Sequence, residues 1–177
     1  HFHDDDVADA GWPESHRLRV PDDLASGVYA LRLRTADAED YLPFFVVPAA
    51  GKASARLAVL MPTMSYLAYA NESIDVSDTI QLAPRQDMTI NRAAYDYVAA
   101  NGLKSTYDLH RDGSGIAYGS LRRPIIDFRP KARCRTFDAP HQFAADLHLI
   151  DWLTEKGYAF DVITDDALHA DGAALLA

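Results

Sequence analysis

The feature that most constrains the fold is a change in hydrophobic pattern around Pro48–Lys52, a candidate linker. Before it, Gly27–Arg34 alternates apolar and polar side chains with a period of two, as a half-buried strand does. After it, the short apolar run in Arg56–Met61 is typical of a parallel strand that is buried on both faces. The pattern therefore predicts two domains, a β module over residues 1–48 and an α/β domain over residues 49–177.

The β module is predicted to contain short strands separated by turn-forming residues. The acidic stretch Ala36–Asp40 is the expected loop of an antiparallel hairpin. Three short strands do not form a stable module alone, so we interpret them as the last strands of a β-sandwich that begins before His1. The strands are His16–Val20, Gly27–Arg34 and Tyr41–Val47.

The α/β domain alternates strands with helices, which predicts half of a doubly wound parallel sheet. The long irregular stretch Arg111–Ala139 interrupts this alternation, and a loop of that length is usually functional or covers something. The expected strands are Arg56–Met61, Leu103–Leu109 and Tyr158–Thr164. The expected helices run from Asp87 to about Ala100, from Pro140 to just before Gly157, and onward from a cap at Asp165 or Asp166.

Composition excludes several classes of function. Lys and Arg number 17 and Asp and Glu number 26, so the net charge is −9. This charge disfavours binding to nucleic-acid phosphates and to anionic membrane surfaces. Cys134 is the single cysteine, so neither an internal disulfide nor a CxxC zinc site is available. No apolar run approaches the ~20 residues that span a bilayer, and we expect a cytoplasmic protein.

Two segments are the expected ligand site, because open α/β sheets bind ligands beyond the carboxyl ends of their strands. They are Pro62–Glu72 and Ser105–Gly115, and each contains a tyrosine of interest, Tyr66 and Tyr107. A phenolate oxygen is a hard, anionic ligand that suits a trivalent metal ion, and such an ion can displace the phenol proton. The alternative is that both rings pack in loops with their hydroxyls hydrogen-bonded.

Other chemistries compete for the same segments. Ser65 or Ser114 could form a catalytic triad with His110 and Asp108, although the G-x-S-x-G elbow that exposes such a serine is absent. Acidic and imidazole groups at the start of the chain also have the composition of a metal cluster, but such groups at a chain end are more often solvated. They are His1, His3 and Asp4–Asp6.

Three stretches of the sequence resemble the large (β) subunit of the N,N-dimethylformamidase family. They are Pro62–Glu72, Ser105–Gly115 and His148–Leu153. The run from Gly27 to Val46 is similar to the segment that precedes the C-terminal domain of that subunit, so the resemblance covers nearly the whole chain. We therefore expect a fragment: the last strands of a β-sandwich module, then half of a parallel doubly wound, glutamine-amidotransferase-like domain.

The resemblance implies a mononuclear Fe(III) centre that hydrolyses a small amide, N,N-dimethylformamide, to dimethylamine and formate. The two tyrosine ligands of the family fall on Tyr66 and Tyr107, and the third ligand, a glutamate, is expected beyond the C-terminus. Asn71, Glu72 and His110 are candidates for lining the pocket, without assigned acid or base roles.

The family also implies a small partner subunit and a homo-oligomer, and the chain alone is expected to be inactive. The alternative from a different class is a non-catalytic binding or interaction module, built from a β-sandwich and an α/β scaffold. Iron loading discriminates the two, because a binding module would stay colourless.

Overall fold

The computed structural model describes residues 3–72, 92–134 and 139–176. Its backbone divides into two compact units, each built from two separate stretches of chain. The loop-rich unit contains His1–Trp12 and Ser65–Gln142, and the sheet unit contains Pro13–Met64 and Phe143–Ala177. The domain boundary that the sequence places at residue 48 lies inside the sheet unit and stays a prediction.

The sheet unit contains the predicted hairpin. Strand β1 (Gly27–Arg34) pairs antiparallel with β2 (Glu39–Val46), with Gly27 opposite Val46. At the turn, the Thr35 amide donates to the Ala38 carbonyl oxygen. The period-two alternation therefore identifies these strands correctly, whereas their membership of a β-sandwich stays a prediction.

The third strand predicted in this segment, His16–Val20, is wrong. These residues are exposed and have no strand structure. The side chains here pair locally: Arg17 binds Glu14 at 2.6 Å, three residues earlier. Such local pairing satisfies charged groups without a neighbouring strand, and an apolar face of only two side chains, Leu18 and Val20, buries too little to hold a strand in place.

The core of the sheet unit is a parallel pair of strands, as the sequence predicts. Strand β3 (Ala58–Met61) pairs with β4 (Asp161–Thr164), with Ala58 opposite Asp161. All four residues of β4 are buried, as expected for a parallel strand that is covered on both faces. In β3, Val59 and Met61 are buried but Ala58 and Leu60 are exposed, so the expectation that this strand is buried on both faces is wrong: only one of its faces packs on the core. The structure confirms this parallel pairing; the doubly wound, glutamine-amidotransferase-like class stays a prediction.

A buried carboxylate fixes the start of β4. Asp161 accepts hydrogen bonds from the Ser54 amide at 2.7 Å, the Ser54 hydroxyl at 2.5 Å and the Ala55 amide at 3.0 Å. Burial alone would raise the pKa of this carboxyl, but the donors from Ser54 and Ala55 outweigh burial and lower the pKa. The charged carboxylate therefore ties the segment before β3 to the first residue of β4.

Two helices flank β4 in the sequence. Helix α3 (Phe143–Glu155) begins three residues later than predicted, because Gln142 has a left-handed backbone (φ 51°) that cannot continue a helix. Gly157 stops the helix with φ +71°, as predicted. Helix α4 (Asp165–Leu175) is capped by Thr164 rather than by Asp165 or Asp166, since the Thr164 hydroxyl accepts from the Ala167 amide.

The loop-rich unit contains most of α1 (Thr63–Ala68) and all of α2 (Arg92–Ala100). The start predicted for α2, Asp87, lies outside the described residues, and its end at Asn101-Gly102 is confirmed, with Gly102 at φ +59°. None of the helices in the described part of the chain is long and apolar enough to cross a membrane.

The strand predicted over Leu103–Leu109 is wrong. The chain turns here, because the amide and hydroxyl of Ser105 donate to the Asp108 carboxylate at 2.6 and 3.0 Å. Serine and aspartate side chains that bind the local backbone compete with a sheet ladder. In this stretch only Leu109 forms an isolated bridge, to Gly115.

We expect Asp161→Asn to destabilise the sheet unit by about 1–3 kcal/mol, because the amide nitrogen of asparagine would face donors instead of accepting from them. Hydrogen exchange of peptides spanning residues 54–61 and 158–164 in the full-length protein measures this effect. Asp166→Asn, at an exposed position of α4, is the matched control. Equal protection in the two variants would contradict the role of Asp161.

The same carboxylate predicts a pH dependence with a defined sign. Its folded-state pKa is lowered, so it stabilises the fold fully above its unfolded pKa of about 3.9. That contribution declines as the pH falls through the folded-state pKa. The stability gap between wild type and Asp161→Asn should therefore narrow on going from neutral pH to below about pH 3.9, measured by urea unfolding at both.

Candidate functional site

Tyr66, the first predicted metal ligand, lies in α1, the short helix that follows β3. Its side chain is buried, and its ring lies 5.7 Å from the ring of Phe128. Phe128 belongs to the long irregular stretch, so that stretch does cover a predicted site residue. A buried phenol usually finds a hydrogen-bonding partner for its hydroxyl, which distinguishes this position from a purely apolar one.

Tyr107, the second predicted ligand, lies in the turn that replaces the predicted strand. Its amide donates to the Ser105 hydroxyl oxygen at 3.1 Å, while Ser105 itself donates to Asp108. The Tyr107 side chain is 60% exposed. The turn thus leaves the phenol accessible to a ligand, whereas a regular strand would have alternated its side chains between two faces.

Thr106 joins the two segments that carry these tyrosines. Its amide and hydroxyl donate to the Ala68 carbonyl oxygen at 3.2 and 3.0 Å. Ala68 ends α1, and the last carbonyl groups of a helix lack partners within the helix. The tie therefore satisfies a helix terminus and brings the Tyr107 turn to the end of the helix that carries Tyr66.

Four side chains form what we call the tyrosine cluster: Tyr69, Glu72, Tyr107 and His141. The rings of Tyr69 and Tyr107 lie 4.3 Å apart, and the His141 ring meets the Tyr69 ring edge-on at 5.5 Å. His141 Nδ1 lies 3.6 Å from a carboxylate oxygen of Glu72. The structure thus brings two predicted site residues, Tyr107 and Glu72, into one group through Tyr69 and His141.

A hydrogen bond joins the two phenols of this cluster. Tyr69 bonds to Tyr107, and this bond, with burial and the nearby Glu72 charge, raises the pKa of Tyr69. The environment of Tyr69 therefore favours its protonated form. This phenol lies beside Tyr107, the residue that the sequence assigns to a metal.

Asn71, a predicted pocket residue, is completely buried and binds residues 124–127 of the irregular stretch. Its side-chain amide donates to the Pro124 carbonyl oxygen at 2.6 Å, and its side-chain oxygen accepts from the Ile126 amide at 3.0 Å. Its own amide donates to the Asp127 carboxylate at 2.8 Å. Its backbone is left-handed, with φ 63°, a conformation that asparagine tolerates better than most residues.

Arg123 is a second buried polar side chain with three backbone partners. Its guanidinium donates to the carbonyl oxygens of Ser120 at 2.9 Å, Lys104 at 2.7 Å and Ala70 at 3.4 Å. Burial lowers the pKa of Arg123, which nonetheless stays far above neutrality for a guanidinium. Arg123 thus links the end of α1 to two parts of the irregular chain.

His110, the last predicted pocket residue, belongs to another group of side chains. It is buried, and its Nδ1 lies 2.9 Å from the Asp5 carboxylate. The Lys104 ammonium binds the same carboxylate at 2.5 Å and holds the pKa of Asp5 well below its usual range. The acidic start of the chain, which the sequence left as a solvated end, is therefore packed against this histidine.

The contacts of His110 do not match the triad considered from sequence. His110 Nε2 lies 3.5 Å from Asp6, so both ring nitrogens face acidic side chains of the N-terminal segment. The hydroxyl of Ser114 donates to Asp112 at 2.6 Å, which lowers the pKa of Asp112 to about 2. Asp5 lies 105 residues before His110, so no sequence spacing could have revealed this pair.

Comparison with known proteins agrees with the sequence resemblance. A family model described as "N,N-dimethylformamidase beta subunit-like, C-terminal" matches residues 1–177. The chain is 44% identical to the N,N-dimethylformamidase beta subunit of Paracoccus aminophilus and 42% identical to that of Alcaligenes sp., each over 99% of its length. It spans 23% of the length of each of these curated relatives.

We expect Asn71→Ala to destabilise the loop-rich unit by about 2–4 kcal/mol, because it leaves the Pro124 carbonyl and the Ile126 amide without their buried partner. Asn71→Gly loses the same hydrogen bonds but tolerates the positive φ, so it should be less harmful by about 1 kcal/mol. Hydrogen exchange over residues 120–134 of the full-length protein measures both. Asn101→Ala, at an exposed position, is the control; protection equal to that control would contradict the role of Asn71.

Proposed function

This chain belongs to the family of the N,N-dimethylformamidase β subunit, and on that premise we propose that it supplies part of the active site of an iron-dependent amide hydrolase. The observation that carries the proposal is the match of the whole chain to two proteins of that name. Because the chain spans 23% of those relatives, the activity is proposed for the full-length protein. The proposed substrate is a small N-substituted formamide such as N,N-dimethylformamide.

Tyr66 and Tyr107 are the residues that we propose to hold the iron. The hydrogen bonds from Thr106 to Ala68 support this, because they join the two segments that carry these phenols. Two phenolate oxygens form a hard, anionic donor set that fits a trivalent ion. A third ligand, a glutamate, is expected outside this chain. When bound, Fe(III) supplies Lewis acidity toward the amide carbonyl and lowers the pKa of water.

Within the chain, the tyrosine cluster places ionisable side chains beside Tyr107, one of the proposed ligands. The hydrogen bond between Tyr69 and Tyr107 raises the pKa of Tyr69, so Tyr69 is a protonated partner that can orient the Tyr107 oxygen. His141 faces Glu72 at 3.6 Å, so a proton on Nδ1 of His141 would be held toward that carboxylate. These groups are suited to fix the charge state of the site.

A small partner subunit and a homo-oligomer belong to the same proposal. The relatives are named as beta subunits, a name that implies assembly with another chain. By the same reasoning, the isolated 177-residue chain is expected to lack activity, because it carries two of the three proposed ligands.

We expect Tyr66→Phe and Tyr107→Phe in the full-length protein to lose most of the bound iron and the amidase activity. Each change removes one oxygen and little volume, so folding should survive. Iron content, the visible charge-transfer band of iron-loaded protein and formate release are the measurements. Tyr158→Phe is the matched control, because Tyr158 is an exposed residue of the sheet unit that packs on Trp152.

Two outcomes would count against the proposal. Iron content equal to the Tyr158→Phe control in both variants would show that these tyrosines are not ligands. A full-length wild-type protein that stays colourless with iron and releases no formate would favour the non-catalytic binding module instead.

A further inference from the structure

We propose that His3, Asp6 and His110 form a second metal site, for a divalent ion such as Zn²⁺, independent of the tyrosines. All three residues belong to the loop-rich unit. One ligand atom from each lies within 4.8 Å of the other two. Two imidazole nitrogens and one carboxylate oxygen are a common donor set for zinc in proteins. The site uses none of the proposed iron ligands.

The distances fit an ion placed among the three groups. Asp6 Oδ1 lies 3.8 Å from His3 Nδ1 and 3.5 Å from His110 Nε2. Zinc–ligand bonds of about 2.1 Å at a tetrahedral angle place ligand atoms roughly 3.4 Å apart. The two imidazole rings are stacked 3.8 Å apart and nearly parallel, so a bound ion requires the rings to tilt toward it.

The far side of each ring already has the partner that a metal-binding histidine needs. His110 Nδ1 faces the Asp5 carboxylate at 2.9 Å, and His3 Nε2 faces the Asp112 carboxylate at 3.2 Å. A carboxylate that accepts the N–H of a histidine fixes the tautomer and makes the opposite nitrogen a better ligand. The opposite nitrogens, His3 Nδ1 and His110 Nε2, are the ones that lie near Asp6 Oδ1, at 3.8 and 3.5 Å.

The hydrogen bonds of Asp6 also orient its carboxylate toward the two histidines. Its Oδ2 accepts hydrogen bonds from the His3 amide at 3.1 Å and from the Tyr118 hydroxyl at 3.3 Å. Its Oδ1 is the oxygen that faces both histidines. Asp6 Oδ1 and one nitrogen of each imidazole are therefore the three atoms that a bound ion would contact.

A cavity of about 320 Å³ adjoins the acidic side of this group, and Asp5, Asp6, Lys104 and Arg111 are among the residues that line it. Lys104 and the Arg111 amide bind Asp5 rather than Asp6. The Lys104 ammonium therefore pairs with Asp5, the carboxylate that also faces His110 Nδ1.

The test is zinc binding by the full-length protein, with Zn²⁺ alone, by isothermal titration and by metal analysis after dialysis. We expect Asp6→Asn and His110→Gln to weaken binding by at least the roughly 10–100-fold that loss of an outer-shell partner costs, because each change removes a ligand atom or its charge. Asp4→Asn is the matched control, because this neighbouring aspartate is exposed and pairs with Arg111 outside the group. His3→Gln, at a position nearer the surface, repeats the test with less risk to folding.

Three results would overturn the site: no zinc bound by wild type, zinc bound equally by Asp6→Asn and Asp4→Asn, or zinc lost in Asp4→Asn as well. Tyr107→Phe separates this proposal from the iron site, because that variant should lose iron and keep its zinc. Loss of zinc binding in Tyr107→Phe would place the zinc at the tyrosines and contradict a second site.

Discussion

Hydrogen bonds from two buried side chains to backbone groups hold the loop-rich unit together. Asn71 and Arg123 between them contact the backbone at Ala70, Lys104, Ser120 and the segment 124–126. Buried amides and carbonyls must find partners, and in this irregular chain side chains provide them where strands would otherwise do so. Each such bond costs about 1–3 kcal/mol when one partner is removed. The positions of both tyrosine-bearing segments depend on them, since Ala70 directly precedes Asn71 and Lys104 lies three residues before Tyr107.

The sequence predicts those strands correctly in which the order of apolar and polar residues matches a buried surface. β1 and β2 alternate because one face is more buried than the other, and the centre of β4 is apolar because all four of its residues are buried. β3 was found by its apolar run, although Ala58 and Leu60 are exposed. Leu103–Leu109 failed because Ser105 and Asp108 bond to each other, a preference that an apolar count does not contain. His16–Val20 failed because alternation alone does not supply a partner strand.

The candidate site also contains some residues that the sequence could identify and some contacts that it could not. The sequence singled out Tyr66, Tyr107 and Glu72 in the segments at the ends of the predicted strands. The structure adds Tyr69 and His141 as neighbours of Tyr107 and Glu72, whereas the ring contact of Tyr66 is with Phe128. His110 was selected for the same pocket, yet its partners Asp5 and Asp6 lie more than 100 residues earlier. No periodicity or spacing encodes that contact, because it depends on how the N-terminal segment packs. The one available signal was the charge of His3 and Asp4–Asp6. Charged side chains stay in water unless they find partners, and here Asp5 and Asp6 find one in His110.

The acidic N-terminal segment and the tyrosine cluster show two ways in which ionisable side chains find partners in a chain with a net charge of −9. At Asp5 the negative charge is offset by an ammonium group, with Lys104 at 2.5 Å, and the pKa of Asp5 is held well below its usual range. In the tyrosine cluster the partner of Tyr69 is a second phenol, Tyr107, and their hydrogen bond, with burial and the charge of Glu72, raises the pKa of Tyr69. The environment of Asp5 therefore favours the charged form of the side chain, whereas the environment of Tyr69 favours the protonated form.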